Sequence, residues 1–325
     1  MPVIALTGAT GFVGQSIVRQ LLAAHSASPP DTDPAVNPQL QLKLLVRNPA
    51  RRVLPAGFDS PCIRIIDGDL LQSQALDALV ADCDSVIHVA AAIAGNSAAD
   101  FDRANVLGSR LLADAVTRQA PHAHLVQISS LAARRPGLSW YAASKRHAEE
   151  ILQARLERVS IVRPPAVYGP DDPALAGFWR WLARGWLIRL GPAQARFSLL
   201  HVDDLSHAVL AVLERGPSGC ILEPSGPQPD TGWTWADVAQ AAETVRKSPV
   251  RTVAIPRGLL GSAALAAPLL GRMRGKPAIL NPGKVRELRH LDWVCDNVGS
   301  EQLPGWQAGI RLEQALPDLP GWSKK

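Results

Sequence analysis

The sequence holds two tyrosines, and Tyr141 opens the run Tyr141-Ala142-Ala143-Ser144-Lys145, with Ser129 and Ser130 shortly upstream. On a helix, residues four apart share a face, so the Lys145 ammonium can lie beside the Tyr141 phenol. A free phenol ionises near pH ~10, and an adjacent cation favours the phenolate and lowers that value. The spacing predicts a general acid/base pair. A tyrosine and a lysine on a solvated helix face would share it, so the chemistry depends on what the rest of the chain places alongside.

The first strand-like run, Val3-Ile4-Ala5-Leu6, leads into Thr7-Gly8-Ala9-Thr10-Gly11-Phe12-Val13-Gly14, after which Ile17, Val18, Leu21 and Leu22 recur with helical periodicity. Glycines let the chain turn tightly and let a pyrophosphate approach the helix N-terminus, where free N–H groups and the helix dipole favour an anion. The spacing is Gly-x-x-Gly-x-x-Gly rather than the commoner Gly-x-Gly-x-x-Gly. The strand before it and the helix after it supply the context that a dinucleotide loop requires.

Together the two motifs resemble the short-chain dehydrogenase/reductase superfamily, and the glycine loop is similar to that of its extended, epimerase/dehydratase-like branch. Further strings resemble the family in the same order: Ile65-Ile66-Asp67-Gly68-Asp69-Leu70, Val86-Ile87-His88-Val89-Ala90-Ala91, Asn105-Val106-Leu107-Gly108-Ser109, Gln127-Ile128-Ser129-Ser130, Arg163-Pro164-Pro165-Ala166-Val167-Tyr168-Gly169-Pro170 and His201-Val202-Asp203-Asp204-Leu205. The resemblance implies that Tyr141 passes a proton, and that Lys145 lowers its pKa and holds the nicotinamide ribose. Ser130 would donate to the substrate oxygen, with Ser129 competing for the role or contacting substrate. Asn105 would either help a water relay or serve as a structural amide. Cofactor contacts are implied at Gly8, Thr10, Gly11, Phe12, Val13 and Gly14, at Asp69 and Leu70, at Ala90 and Ala91, and at Pro164, besides Tyr141 and Lys145.

Cofactor choice turns on the end of the second strand, where an acid would bind the ribose 2′-hydroxyl of NAD and an arginine can pair with the 2′-phosphate of NADP. The sequence there is Leu45-Val46-Arg47-Asn48, with Arg51 and Arg52 following, so NADP is expected over NAD. His88, His201, Asp203, Asp204 and Tyr168 are read as structural rather than catalytic. Cys62, Cys83, Cys220 and Cys295 are scattered and fit neither a disulfide framework nor a metal site.

Strand-like runs alternate with helical patterns, which predicts an α/β fold: a Rossmann-type, doubly wound parallel sheet with a smaller C-terminal substrate lobe. Residues 1–170 form the dinucleotide-binding part, with 197–223 returning to it, and 171–196 and 224–325 form the lobe. The proline-rich stretch 26–39 reads as an exposed insertion, and Thr234 with Asp237 as a helix start. At 325 residues with 47% hydrophobic content and a net charge of +5, the chain fits a globular enzyme with an anionic ligand. No basic run interleaved with aromatics suggests nucleic acid. The first strand begins at residue 3, leaving no room for a signal peptide, so a cytoplasmic location is expected. A homodimer is an option that the family implies.

Three classes of function fit this frame: an oxidoreductase, a nucleotide-sugar epimerase with tightly held NAD, and a non-catalytic dinucleotide-binding protein. Sugar-nucleotide dehydratases of the family carry an Asp-Glu pair after the strand-five hydroxyl residue, whereas Ser130 is followed by Leu131-Ala132-Ala133-Arg134-Arg135. Arg196 resembles the diphosphate-clamp arginine of the epimerases, offset by one residue. Most of the nine tryptophans lie beyond Pro170, in a lobe rich in Leu and Ala. The favoured reading is hydride exchange between an alcohol and a ketone or aldehyde on a small or apolar substrate. Residues 258–271 are too short for a membrane span at ~20 residues. With their basic flanks they could contact an anionic membrane surface, although a lobe helix with solvated flanks is the favoured reading.

Overall fold

In the computed structural model, which describes residues 2–26, 40–51, 53–215, 219–227, 231–296, 303 and 305–322, the strand-like runs pair as a seven-stranded sheet. Its strands are β1 (Val3–Thr7), β2 (Gln41–Val46), β3 (Ile63–Asp67), β4 (Ser85–His88), β5 (His124–Ile128), β6 (Val159–Val162) and, after intervening lobe strands, β11 (Ile221–Leu222). The order is β11-β6-β5-β4-β1-β2-β3, with every pairing parallel. The order reverses between β1 and β4. Ligands of such sheets bind in the crevice beyond the carboxyl ends of the strands at that reversal, which here is where Thr7 and His88 lie side by side.

Both faces of the sheet are covered. Along β1, Ile4 and Leu6 pack with Ile17, Val18 and Leu21 of α1 (Phe12–Ser26) and with Leu205, Val209 and Val212 of α7 (Val202–Arg215). Ala5 points the other way, to Leu76 and Leu79 of α2 (Ser73–Val80) and Leu112 and Val116 of α4 (Gly108–Gln119). This two-residue alternation is what a strand buried on both faces requires. Preceding α4, α3 (Ala98–Phe101) and a π-helical turn over Asp102–Leu107 carry Asn105. Helix α5 (Trp140–Arg155) carries Tyr141 and Lys145; it packs on β6, and Lys145 reaches Ile128 at the end of β5.

The lobe has its own core. Trp179 and Leu182 of α6 (Ala176–Ala183) meet Trp233, Val238, Ala241 and Ala242 around α8 (Trp235–Arg246), with Leu312 and Ala315 of α11 (Leu312–Ala315) closing the cluster. Short strands lace it together: β7 (Ala166–Tyr168) with β10 (Leu199–His201), β8 (Trp186–Arg189) with β13 (Arg251–Ala254), and β9 (Arg196–Phe197) between β12 (Trp233–Thr234) and β14 (Asp292–Trp293). Two further helices, α9 (Arg257–Met273) and α10 (Pro282–Leu288), follow β13. Thr234 caps α8 as its sequence suggests: its hydroxyl accepts from Asp237 N at 3.2 Å, and Asp237 accepts from Thr234 N at 2.7 Å. Chain segments cross between the two cores, since Leu199 packs in the lobe and Leu303 against the sheet. Most of the 26–39 insertion and Arg52 lie outside the described residues.

The glycine loop is held by close backbone contact. Gly11 N donates to Gly8 O at 3.0 Å, and a Cβ built on Gly14 would stand 2.1 Å from that same carbonyl oxygen. Gly14→Ala is therefore expected to force the loop open, costing about 1–3 kcal/mol as overpacking does and weakening dinucleotide binding at least as strongly. Thermal denaturation and a cofactor titration check this; an unchanged melting temperature would show that the loop tolerates the methyl.

Candidate active site

The carboxyl end of β1 shapes a cradle for a dinucleotide. Gly8 adopts φ +77°, and a Cβ there would lie 2.6 Å from Ala90 N, so the loop runs directly against the chain leaving β4. Helix α1 starts from this loop with no acidic residue in its first turn, leaving the positive end of its dipole uncontested. These features fit the pyrophosphate of NAD(P). Ala90 is oriented from below: its N–H donates to Thr7 Oγ1 at 3.3 Å. Ser109 Oγ gives its proton to Asn105 O at 2.6 Å, so it must accept from His88 Nε2 at 3.0 Å. His88 Nδ1 then accepts from the Thr7 hydroxyl at 2.8 Å. His88 is a neutral, fully engaged core residue. Burial, reinforced by the Lys145 charge, pushes its pKa down to about 3.

Tyr141 sits in the first turn of α5, behind Ser139, which caps the helix by accepting from Ala142 N at 2.9 Å. The Tyr141 hydroxyl meets Ser130, whose own oxygen accepts from Ala132 N at 3.2 Å. Ser129 faces the other way and donates to Glu149 Oε1. Successive residues of an extended chain point to opposite sides. The chain therefore brings Ser130 to the phenol and turns Ser129 away from it. Lys145, one turn beyond Tyr141, is buried and donates to Ile128 O at 2.7 Å. Asn105 is fully committed: Oδ1 accepts from Ala92 N at 2.7 Å, and Nδ2 donates to Ala92 O at 3.1 Å and Ser144 Oγ at 2.9 Å. These bonds tie the chain after β4 to α5.

The electrostatics differ from the expectation that Lys145 would draw the phenol downward. Burial pushes Tyr141 up to about 12, the Ser130 hydrogen bond opposing and Glu287 adding to the rise. Burial also pushes Lys145 down to about 8, with Glu149 opposing. A low-dielectric site disfavours the charged form of each group, and with the ammonium turned to Ile128 O that effect outweighs any direct pull on the phenol.

With the cradle, phenol and lysine at the carboxyl end of one sheet, comparison with known proteins is decisive. Residues 4–222, well over half of the chain, match the NAD dependent epimerase/dehydratase family. The chain belongs to that family. Among its relatives, a ceramide reductase from Caulobacter vibrioides is 35% identical over 293 residues, covering 90% of this chain and 86% of that protein. Two solved structures share the fold: the dTDP-glucose 4,6-dehydratase of Bacillus anthracis in complex with NAD (TM-score 0.69, 18% identity, 99% of this chain and 96% of that one) and a nucleoside-diphosphate-sugar epimerase from Staphylococcus aureus (0.70, 17%, 98% and 100%). This epimerase/dehydratase family member is thus an NAD(P)-dependent oxidoreductase of the extended short-chain dehydrogenase/reductase type.

Within this family frame, the lobe adds two side chains that sequence reasoning missed. Helix α10 packs on the start of α5: Glu287 accepts from Ser139 Oγ and, at 2.8 Å, from Lys284 Nζ, while that ammonium stands 5.9 Å from the Tyr141 ring centroid. Phe101 closes another side of the ring, edge-on at 6.3 Å. A second unforeseen feature is a buried charge network. Arg163 binds Glu149 through Nε at 2.9 Å and Nη2 at 2.6 Å and reaches Glu223 at 3.4 Å. Glu223 also holds Arg134, which extends to Asp296 at 2.6 Å. No local pattern marks these pairs, because their members lie on five separate segments of the chain.

Other expected residues lie as follows. Arg47 and Arg51 are exposed past the end of β2 and make no ion pair among the described residues; Asn48, at φ +50°, donates its N–H to Asp67 Oδ1 at 3.1 Å. Asp69 closes its own turn by accepting from Leu71 N at 2.8 Å, and Leu70 packs against Gly108. Pro164 O accepts from Leu131 N at 2.9 Å, fixing the chain after Ser130. Arg196 is exposed, its guanidinium on Thr231 O at 3.3 Å. Asp203 and Asp204 open α7, where Asp204 accepts from Gly309 N and Ile310 N, and Tyr168 is buried against Trp179 and His201. No group of potential metal ligands occurs among the described residues.

Two outcomes follow from this geometry. Arg163→Met strands Glu149 without its cation, while Glu223 keeps Arg134, and a cost of about 3 kcal/mol is expected, measurable by urea denaturation; a loss below about 0.5 kcal/mol would mean that Glu149 is not left as an uncompensated buried charge. For His88, the unfolded chain takes up a proton below ~6.5 and the folded chain only near 3. Unfolding then binds one proton across that window, so stability falls as pH drops through it. His88→Gln should flatten this acid-side slope in urea midpoints recorded against pH.

Proposed function

We propose that this protein reduces a ketone on an apolar, lipid-like substrate with NADPH, Tyr141 delivering the proton. The observation that carries this reading is the Tyr141 hydroxyl set against Ser130, with buried Lys145 one helical turn on and the glycine cradle at the same end of the sheet. Burial keeps the phenol in its protonated form, the form that can give a proton to a carbonyl oxygen. Ser130 would donate to the substrate oxygen and then to the phenolate. An ammonium has three N–H donors; one is spent on Ile128 O, leaving two for the nicotinamide ribose hydroxyls. Bound NADPH supplies the hydride to the carbonyl carbon. The oxygen takes the Tyr141 proton, and the product is a secondary alcohol.

The preference for NADPH rests on Arg47 and Arg51, exposed where the 2′-phosphate would fall, with no acid at the end of β2. The substrate class draws on the ceramide reductase relative: a ceramide is a long-chain amide bearing a secondary alcohol, and its oxidised counterpart is a ketone of the kind proposed. The lack of an Asp-Glu pair after Ser130 and the outward-facing Arg196 give no support to sugar-nucleotide dehydration or to a diphosphate clamp.

The test is NADPH oxidation with a ceramide-type ketone in mixed micelles. Tyr141→Phe should lower kcat by about 10²–10⁴-fold with NADPH affinity kept, and Ser130→Ala should cut turnover far more than Ser129→Ala. Arg47→Glu should weaken NADPH but not NADH. Full turnover by Tyr141→Phe, or tighter binding of NADH than of NADPH by the unaltered protein, would sink the corresponding half of the reading.

A further inference from the structure

We propose that α9 is a docking helix that lies on the surface of an anionic lipid bilayer. An ordinary surface helix turns an apolar stripe inward and a charged face outward. In α9 only Leu260, Ala264 and Pro268 are buried, at four-residue spacing. The outward side holds Leu259, Leu265, Leu269, Leu270 and Met273, which are 44–79% exposed. No charged residue occurs from 258 to 271. The helix therefore presents to solvent the kind of face that others bury.

Charge picks the occupant. Arg257 precedes the apolar face, while Arg272, Arg274 and Lys276 follow it, all of them exposed. The sequence has no carboxylate between Glu243 and Glu287. An apolar helix face rimmed by cations matches the boundary between headgroups and acyl chains of an anionic leaflet. A second copy of the chain fits less well, because an isologous contact would bring one cationic rim against another with no acid between them. No helix among the described residues is long and apolar enough to cross a membrane, and α9, at ~1.5 Å per residue, suits lying in the plane instead.

The position of α9 gives the contact a purpose. Its C-terminal end is stitched to the loop that leaves β4: Arg272 donates to Asn96 O at 2.9 Å, Ala278 N to Asn96 Oδ1 at 3.0 Å, and Gly95 N to Ala278 O at 3.0 Å. Ile93 of that loop and Ile279 extend the exposed apolar area. The same loop is held at Ala92 by Asn105, and the chain after α9 enters α10, which brings Lys284 to the Tyr141 ring. A surface seated on lipid would thus be continuous with both walls of the reactive centre.

Vesicle flotation tests this without substrate or cofactor, so its result is independent of the ketone reading. The full chain is mixed with phosphatidylcholine vesicles or with phosphatidylcholine/phosphatidylglycerol vesicles at low salt. Binding to the anionic vesicles should exceed that to the neutral ones by about tenfold or more and weaken with salt. Leu265→Gln/Leu269→Gln and, separately, Arg257→Gln/Arg274→Gln/Lys276→Gln should each reduce it about tenfold, while thermal stability and NADPH binding stay unchanged. Absence of binding to anionic vesicles, or equal binding by these variants, overturns the proposal. So does a concentration-dependent dimer that Leu265→Gln/Leu269→Gln abolishes in a protein that ignores vesicles.

Discussion

Arg163 is buried to 7% exposure, and a guanidinium out of water must be met by charge. Glu149 takes two of its N–H groups and Glu223 a third. Because breaking such a network strands a charge in low dielectric, it acts as a clamp even where its net stabilisation is small. It fixes the roll of α5 through Glu149, and with it the depth of Lys145, one turn earlier, and of Tyr141, two turns earlier. It takes Ser129 for Glu149 and so leaves Ser130 as the hydroxyl beside the phenol. Through Glu223, Arg134 and Asp296 it also ties the sheet to the segment that follows β14. Dinucleotide fold and lobe meet at this clamp.

What the sequence made legible was local. The glycine loop, the sheet strands and the Thr234 cap each depend on a few adjacent residues, and each stands where periodicity and turn chemistry put it. The neutral core role of His88 was readable too, because a histidine inside a buried strand has few other options. The serine pair was harder: which of two neighbours faces a site depends on strand phase, and Ser129 and Ser130 swap roles with a one-residue shift. Asn105 was evenly balanced for a similar reason, since a π-helical turn re-aims its side chain onto Ala92 and Ser144. Lys284 and Glu287 could not be seen at all. They reach Tyr141 from more than 140 residues away, and only the docking of α10 creates that proximity. The acidity of the phenol was misjudged because four-residue spacing describes two groups, while burial is a property of everything around them.

One environment pushes the two central groups in opposite directions. Taking water away raises the phenol to about 12 and lowers the ammonium to about 8, each moving toward its neutral form. For a proton donor this is workable, because an alkoxide formed by hydride addition is far more basic, comparable to water at ~15.7. The phenol would still release its proton downhill. As a resting base, the same tyrosine would need a cation to draw it down, and Lys145 is turned to a carbonyl. The ammonium that stands over the ring is that of Lys284, and it is paired with Glu287. Glu287 of the same helix is a further charge that disfavours the phenolate, so the docking of α10 acts on the phenol in the same direction as burial.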